Sequence, residues 1–247
     1  MNIINVLKHK KIYIISPHYD DAVLSCGCLI SELKGRADVS VVNVFTAVHS
    51  GPYTLSAKKF LWSSGARDGV ELFKKREKED EIALQSVKVK TVNLGLQDAL
   101  FRKKSKPSFL GVAIPEFDHI YPVYRTHILR DMSPEDNVAT DLKTKLSSFK
   151  DKNAVFLLPY GVGGHVDHRI VRKIGEEVFD NIILYSDFPY NVRGNDYGRT
   201  PKSYKKHELA VDLFEKEALV RKYKTQFKGL FSGKGLPAHK EVYFVKN

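Results

Sequence analysis

Short, almost wholly apolar runs set between longer amphipathic stretches are what most narrows the folds open to this chain. Lys11–Ser16, Val39–Phe45 and Ala154–Leu158 are each nearly continuous in aliphatic and aromatic residues, and Asn181–Tyr185 repeats the pattern. A strand that apolar has no face to give to water, so it belongs in a parallel sheet covered by helices on both sides. Apolar residues at helical spacing fill the intervals: Ala22–Lys34, with Gly35 where a C-cap falls, then Glu71–Val87, Glu135–Phe149, Asp167–Phe179 and Leu213–Phe227. Lys90–Leu94 and Glu241–Val245 read as two further strands. The alternation predicts a layered α/β fold with a mostly parallel central sheet. A length of 247 residues suits a single domain spanning the chain. Ser50–Asp68 and Phe101–Arg130 break the rhythm with Gly, Pro, Ser and aromatics. They are predicted as long loops at the strand carboxyl ends, where lids and binding loops sit.

Hydrophobic residues make up 43% of the chain, which argues against global disorder. Nothing approaches the ~20 consecutive apolar residues of a membrane span. Met1–Lys11 lacks the apolar centre of a signal peptide, so a cytoplasmic protein with no membrane span is expected. Cys26 and Cys28, one residue apart in a predicted helix, suit neither a disulfide nor a thiolate metal site. They are expected as small, buried, reduced side chains. The formal charge is +11, but basic residues such as Lys74, Arg102 and Lys205 are dispersed along the chain. They read as solvated surface, with a mild pull toward anionic substrates. No recognition motif accompanies the charge, so no nucleic-acid partner is expected.

In open α/β sheets, ligands bind beyond the carboxyl ends of the strands. Two clusters of ligand-type residues fall there. Pro17-His18-Tyr19-Asp20-Asp21 follows the first strand, and Gly164-His165-Val166-Asp167-His168 follows the Ala154–Leu158 strand and opens the next helix. His18 and Asp21, three apart across a strand-to-helix turn, can face one point. His168, reaching over from the second cluster, would complete a two-histidine, one-carboxylate site. Three protein ligands with an open position is the arrangement of a catalytic zinc, and the same set accepts iron(II). Asp20 points elsewhere than its neighbour and is free to act as general base on a water at the metal. His165 would reach the same cavity as an imidazolium, stabilising an oxyanion or protonating the leaving amine. Asp167 would orient an imidazole through its N–H. Each piece has a plainer reading, since an Asp pair ahead of a helix is ordinarily a cap at the positive end of the dipole. The conjunction at two strand ends favours a site.

Ser16-Pro17-His18-Tyr19-Asp20-Asp21-Ala22-Val23-Leu24-Ser25 resembles the first motif of the PIG-L/LmbE-like de-N-acetylases, and Gly164-His165-Val166-Asp167-His168-Arg169 resembles the second. Lys75–Asp80, Leu94–Ala99 and Tyr185–Tyr190 extend the resemblance over about Ile12–Tyr190. It implies a Rossmann-like fold and zinc-dependent hydrolysis of N-acetylglucosamine-type amides. It also implies His18, Asp21 and His168 as metal ligands, Asp20 as the base and His165 as an electrostatic or acid group. Ala22 stands where many members have Glu, as it does in a recognisable subgroup. Gly163 stands where some members carry a tyrosine, and Tyr160 is the candidate substitute. The expected partner is a small or conjugated amino-sugar substrate, with an anionic carrier favoured by the net charge.

Arg67 and Arg76 are candidates for substrate contact, although Arg76 reads better as a helical-spacing partner of Glu79 or Asp80. Tyr53, Phe60 and Trp62 are aromatics that could stack on a sugar ring, with packing the better reading for at least two of them. A dinucleotide-binding oxidoreductase is disfavoured, because the first strand–helix turn holds two carboxylates and no Gly-x-Gly-x-x-Gly. The remaining alternative is a non-catalytic basic ligand- or nucleic-acid-binding protein on the same fold.

Overall fold

The computed structural model describes residues 3–106, 108–194 and 196–246. A short helix α1 (Ile3–Leu7) leads into β1 (Lys11–Ser16), α2 (Asp21–Leu33) and β2 (Asp38–Asn43). Then come α3 (Leu55–Ser63), α4 (Gly69–Ser86), β3 (Lys90–Asn93), α5 (Val138–Ser147), β4 (Ala154–Pro159), α6 (Val166–Val178) and β5 (Ile182–Tyr185). The chain ends with α7 (Tyr190–Arg193), β6 (Tyr204–Ala210), α8 (Leu213–Val220), α9 (Lys224–Phe231) and β7 (Lys240–Lys246). The seven strands form one sheet in the order β3-β2-β1-β4-β5-β7-β6, parallel from β3 through β5 and antiparallel where β7 joins β5 and β6. None of the described helices is long and apolar enough to cross a membrane.

The apolar runs are apolar because both faces of the sheet are covered. β1 sends Ile12 and Ile14 into a core shared with α1, α2, α8 and α9, and turns Tyr13 and Ile15 toward the opposite core, which includes Ile170 and Ile174 of α6. Burial of such aliphatic side chains contributes roughly 1.5–3 kcal/mol each, which is why the central strands tolerate almost no polar residue. Connectivity then places the site. From β1 the chain moves outward to β2 and β3, and it returns to the other side of β1 to lay down β4. The loops after β1 and β4 therefore diverge above adjacent strands, and this divergence opens the crevice where such sheets bind ligands.

Several elements depart from the sequence reading, which places no helix at α1 or α7. The predicted helix Leu213–Phe227 is two helices, α8 and α9, because Tyr223 leaves helical geometry (ψ 65°) and buries its ring, donating its hydroxyl to Asp80 at 2.7 Å. Ser50–Asp68 holds α3, whose N-cap Thr54 accepts the Ala57 amide. β6, Tyr-Lys-Lys-His-Glu-Leu-Ala, escapes a hydrophobic pattern because it is a charged edge strand with only one neighbour. Cys26 and Cys28 are buried free thiols, as expected.

Candidate active site

The turn between β1 and α2 is closed by its own polar atoms. Ser16 Oγ donates to the His18 carbonyl at 2.6 Å and accepts the Ala22 amide at 3.0 Å, while Asp21 accepts the His18 amide at 2.9 Å. Asp20 occupies the N-cap position of α2, but its side chain makes no capping hydrogen bond. The plain reading of the acidic pair as a helix cap therefore fails for Asp20, whose carboxylate lines a cavity instead.

Three side chains converge beside that turn. Asp21 Oδ2 lies 3.1 Å from His18 Nδ1 and 3.3 Å from His168 Nε2, and the three ligand-type atoms all fall within 4.8 Å of one another. The far nitrogen of each ring is held by a buried carboxylate. His168 Nδ1 lies 2.7 Å from Asp187 Oδ1, and His18 Nε2 lies 3.1 Å from Asp167 Oδ2. With their outer N–H groups given to those carboxylates, both rings aim their other nitrogen at Asp21, where a metal ion in place of the proton would find a lone pair. The donor set thus fits a zinc or iron(II) ion, whose ligands are two neutral imidazoles and a carboxylate. A second grouping, His18, His165 and Asp167, is equally compact. Its carboxylate is already committed, because Asp167 accepts the Ala99 amide at 2.9 Å and Arg102 Nη2 at 2.6 Å.

Electrostatics agree with this division. Burial works against charge on His18 and His168, but the surrounding carboxylates outweigh it, lifting His18 well above the usual imidazole range and His168 to about 10. Asp21 is buried too, yet His168 and His18 hold it far below the ordinary carboxylate value. The negative potential that keeps protons on these imidazoles is the one a divalent cation would exploit by displacing them. Asp20 moves the other way. Burial and the neighbouring Asp21 charge raise it to about 6.

The cavity above these groups has a volume of about 250 Å³, and its polar lining includes Arg76, Asp98, Tyr124, His165 and Tyr190. His165 is there as expected, but as a neutral ring and not an imidazolium. Its Nδ1 accepts the Asp167 amide at 3.2 Å, and burial together with His18 lowers its pKa to about 3, so its one N–H is at Nε2. Tyr160 does not substitute for the missing tyrosine, since its hydroxyl donates to the Arg199 carbonyl at 2.6 Å. The space is filled from elsewhere. A side chain at Gly163 (φ +85°) would come within 2.7 Å of the Tyr190 ring, and Tyr190 shares a hydrogen bond with Tyr124.

Arg76 corrects its expected structural role. Glu79 is engaged by Thr225, and Asp80 by Asn43 and Tyr223. The Arg76 guanidinium instead lies 4.8 Å over Phe60 against the cavity, and its buried Nε has no hydrogen-bond partner. Arg67 is exposed and outside the lining, Trp62 is 83% exposed, and Tyr53 is packed with its hydroxyl on Asp68 and Gly69. Among the three aromatics only Phe60 reaches the cavity. Arg102, read from sequence as solvated surface, is 4% exposed and bridges Asp167 to Asp136 while stacking on Phe45. Asp98, Asp187 and Tyr190 lie in segments that extend the resemblance, but nothing in their spacing announces a role.

Asp187 offers a sharp test of the outer carboxylates. Its Oδ2 accepts the Gly161 and Val162 amides at 2.7 and 2.8 Å. An Asn that keeps those two bonds must turn its NH₂ toward His168 Nδ1, which fixes the neutral ring's proton at Nε2 and removes the lone pair that a metal ion would use. Asp187→Asn is expected to weaken zinc binding by about 100-fold, the upper end for such outer-shell changes. Competition against a chelator of known affinity measures it, and unchanged affinity would refute this orientation.

The sequence pattern of the GlcNAc-PI de-N-acetylases (PIG-L) matches residues 13–179. A curated relative, 2'-N-acetylparomamine deacetylase from Niallia circulans, is 27% identical over 239 residues, covering 88% of this chain and 81% of the relative. Among solved structures, the zinc-inhibited form of teicoplanin deacetylase superposes with a TM-score of 0.74 at 22% identity, over 96% of this chain and 98% of the other. A deacetylase–teicoplanin complex gives 0.71 at 23% identity, over 96% and 99%. The likeness to these structures is one of fold; the family pattern spans both histidine clusters, from within β1 to the residue after α6. The chain belongs to the GlcNAc-PI de-N-acetylase family.

Proposed function

We propose that this protein hydrolyses the N-acetyl group of an amino-sugar substrate, with a divalent metal held by His18, Asp21 and His168. The observation that carries the reading is the convergence of those three ligand atoms, each histidine backed by its own buried carboxylate. Zinc is the metal the ligand set suits, with iron(II) accepted by the same donors. When bound, the metal would polarise the acyl carbonyl and acidify water in the cavity. Asp20, raised toward neutrality and free of the ligand cluster, takes a proton from the attacking water. The neutral His165 donates Nε2–H to the developing oxyanion, a dipole already oriented by the Asp167 amide on its Nδ1. Asp20 then returns the proton to the departing sugar amine.

The cavity's charges also bear on the substrate. Asp20, Asp21 and Asp98 face it against the single guanidinium of Arg76, so the basic character of the surface does not extend inward. With a divalent ion bound at Asp21, the three carboxylates and Arg76 leave no surplus of positive charge to select an anionic carrier, and a neutral amino sugar suits the lining. The Niallia circulans relative, by its name, deacetylates 2'-N-acetylparomamine. The test is acetate release from 2'-N-acetylparomamine and simple N-acetylhexosamines by the zinc-loaded protein. Release by wild type and loss of about one zinc per chain with activity in His168→Ala are expected. A zinc-loaded wild type that releases no acetate from any of them would overturn the reading.

A further inference from the structure

Outside the catalytic cavity, His49, just ahead of the first long loop, faces His119 of the second. His49 Nδ1 lies 2.6 Å from the Ser50 carbonyl, and His119 Nδ1 lies 2.7 Å from the Pro115 carbonyl. Carbonyls only accept, so each ring must carry its N–H at Nδ1. That leaves two Nε2 lone pairs, and these atoms are 3.3 Å apart. Two lone pairs cannot hold such a contact unless something positive lies between them, which means a proton or a metal ion. A shared proton would need one ring to be an imidazolium. Burial lowers the proton affinity of both rings, and Lys103 beside them lowers it further. Glu116 near His119 and the Phe101 carbonyl near His49 oppose this only in part. The separation suits a metal. Two nitrogens bound at ~2.05 Å to a tetrahedral ion stand about 3.3 Å apart.

We propose that His49 and His119 form a second, two-histidine site for a divalent transition-metal cation, zinc by ligand preference, with water completing its coordination. Imidazole nitrogens bind such an ion as neutral donors. The Lys103 ammonium makes the site the weaker of the two. Its place gives it a structural consequence. His119 is paired in sequence register with Lys103, while His49 stacks on Tyr53 ahead of α3. An ion there would tie the segment leading to Phe60 to the segment leading to Tyr124, and both residues wall the cavity.

Zinc titration of the full-length protein by calorimetry tests the site independently of any deacetylase activity. Wild type is expected to bind two equivalents, the second more weakly. His168→Ala should lose the tight one and keep the weak one, whereas His49→Gln and His119→Gln should each do the reverse. His49 is the less buried partner, so His49→Gln keeps the test valid if His119→Gln fails to fold. A single equivalent in wild type at saturating zinc, or a second equivalent that survives both glutamine substitutions, would overturn the proposal. So would an imidazole ¹⁵N spectrum of the zinc-saturated wild type showing one of the pair doubly protonated.

Discussion

Asp20→Asn is expected to lower kcat by about 10³-fold while zinc content stays at the wild-type level. Among the described residues, the Asp20 carboxylate meets only its own backbone amide, whereas the other carboxylates of the centre are held by neighbouring residues. Asp21 accepts the His18 amide and faces two imidazoles, and Asp98 accepts the Leu100 amide at 2.8 Å. Asp20 is thus the carboxylate with basicity to spend. Asparagine keeps its shape and removes only its capacity to take a proton, so the loss should fall on kcat with KM little changed. Asp21→Ala removes the ligand that both histidines face and should lose metal and activity together. Acetate release and metal content measured on the same preparations separate the two outcomes. A zinc-bound Asp20→Asn with near-wild-type turnover would pass the base role to Asp98, whose Oδ2 is 3.6 Å from His18 Nε2.

What could be read in the sequence, and what could not, divides along the range of the forces involved. β1, β2, β4 and β5 are legible because burial on both faces leaves its mark on most residues of a short run. His18, Asp21, His165 and His168 are legible because ligand-type residues crowd two short segments, and the topology puts both segments at neighbouring strand ends. Arg102 is not, since Arg102-Lys103-Lys104 looks like solvated surface. Its burial comes from Asp136 and Asp167, 34 and 65 residues away in sequence. Asp187 is a lone acid after a strand until His168 docks against it, 19 residues distant. The break between α8 and α9 has a similar origin, because helical periodicity runs on through Tyr223 and only the contact with Asp80 ends it. Arg76 shows the converse failure. Its i+3 and i+4 neighbours are acidic, and local spacing suggested a pairing that tertiary partners pre-empted.

The largest loss of stability is expected outside the cavity lining, at Glu241. Helix α2 leaves helical geometry at Cys26 (φ −129°, ψ 16°), which frees amides that an unbroken helix would satisfy. The Glu241 carboxylate on β7 replaces the missing acceptors, taking Cys28 N at 2.8 Å and Leu29 N at 3.0 Å. It also accepts Lys216 Nζ at 2.7 Å and the Tyr243 hydroxyl at 2.8 Å, with Lys216 and Glu241 both essentially shielded from solvent. Glu241→Ala strands a buried ammonium and two helix amides at once, and a loss of about 3–5 kcal/mol is expected. Lys216→Met should cost less, about 1–3 kcal/mol, because the carboxylate left behind still receives three neutral donors. The order of these two losses, read as urea midpoints at unchanged m-value, is the discriminating quantity. If Lys216→Met were the more damaging, the ion pair and not the repair of the kinked helix would be the dominant contribution. The expected order also reaches the active site through packing. Ser25, one residue before the kink, accepts the Phe188 amide at 3.1 Å, next to the Asp187 that orients His168. A folded Glu241 variant should therefore bind zinc more weakly than wild type without any change in the ligands themselves.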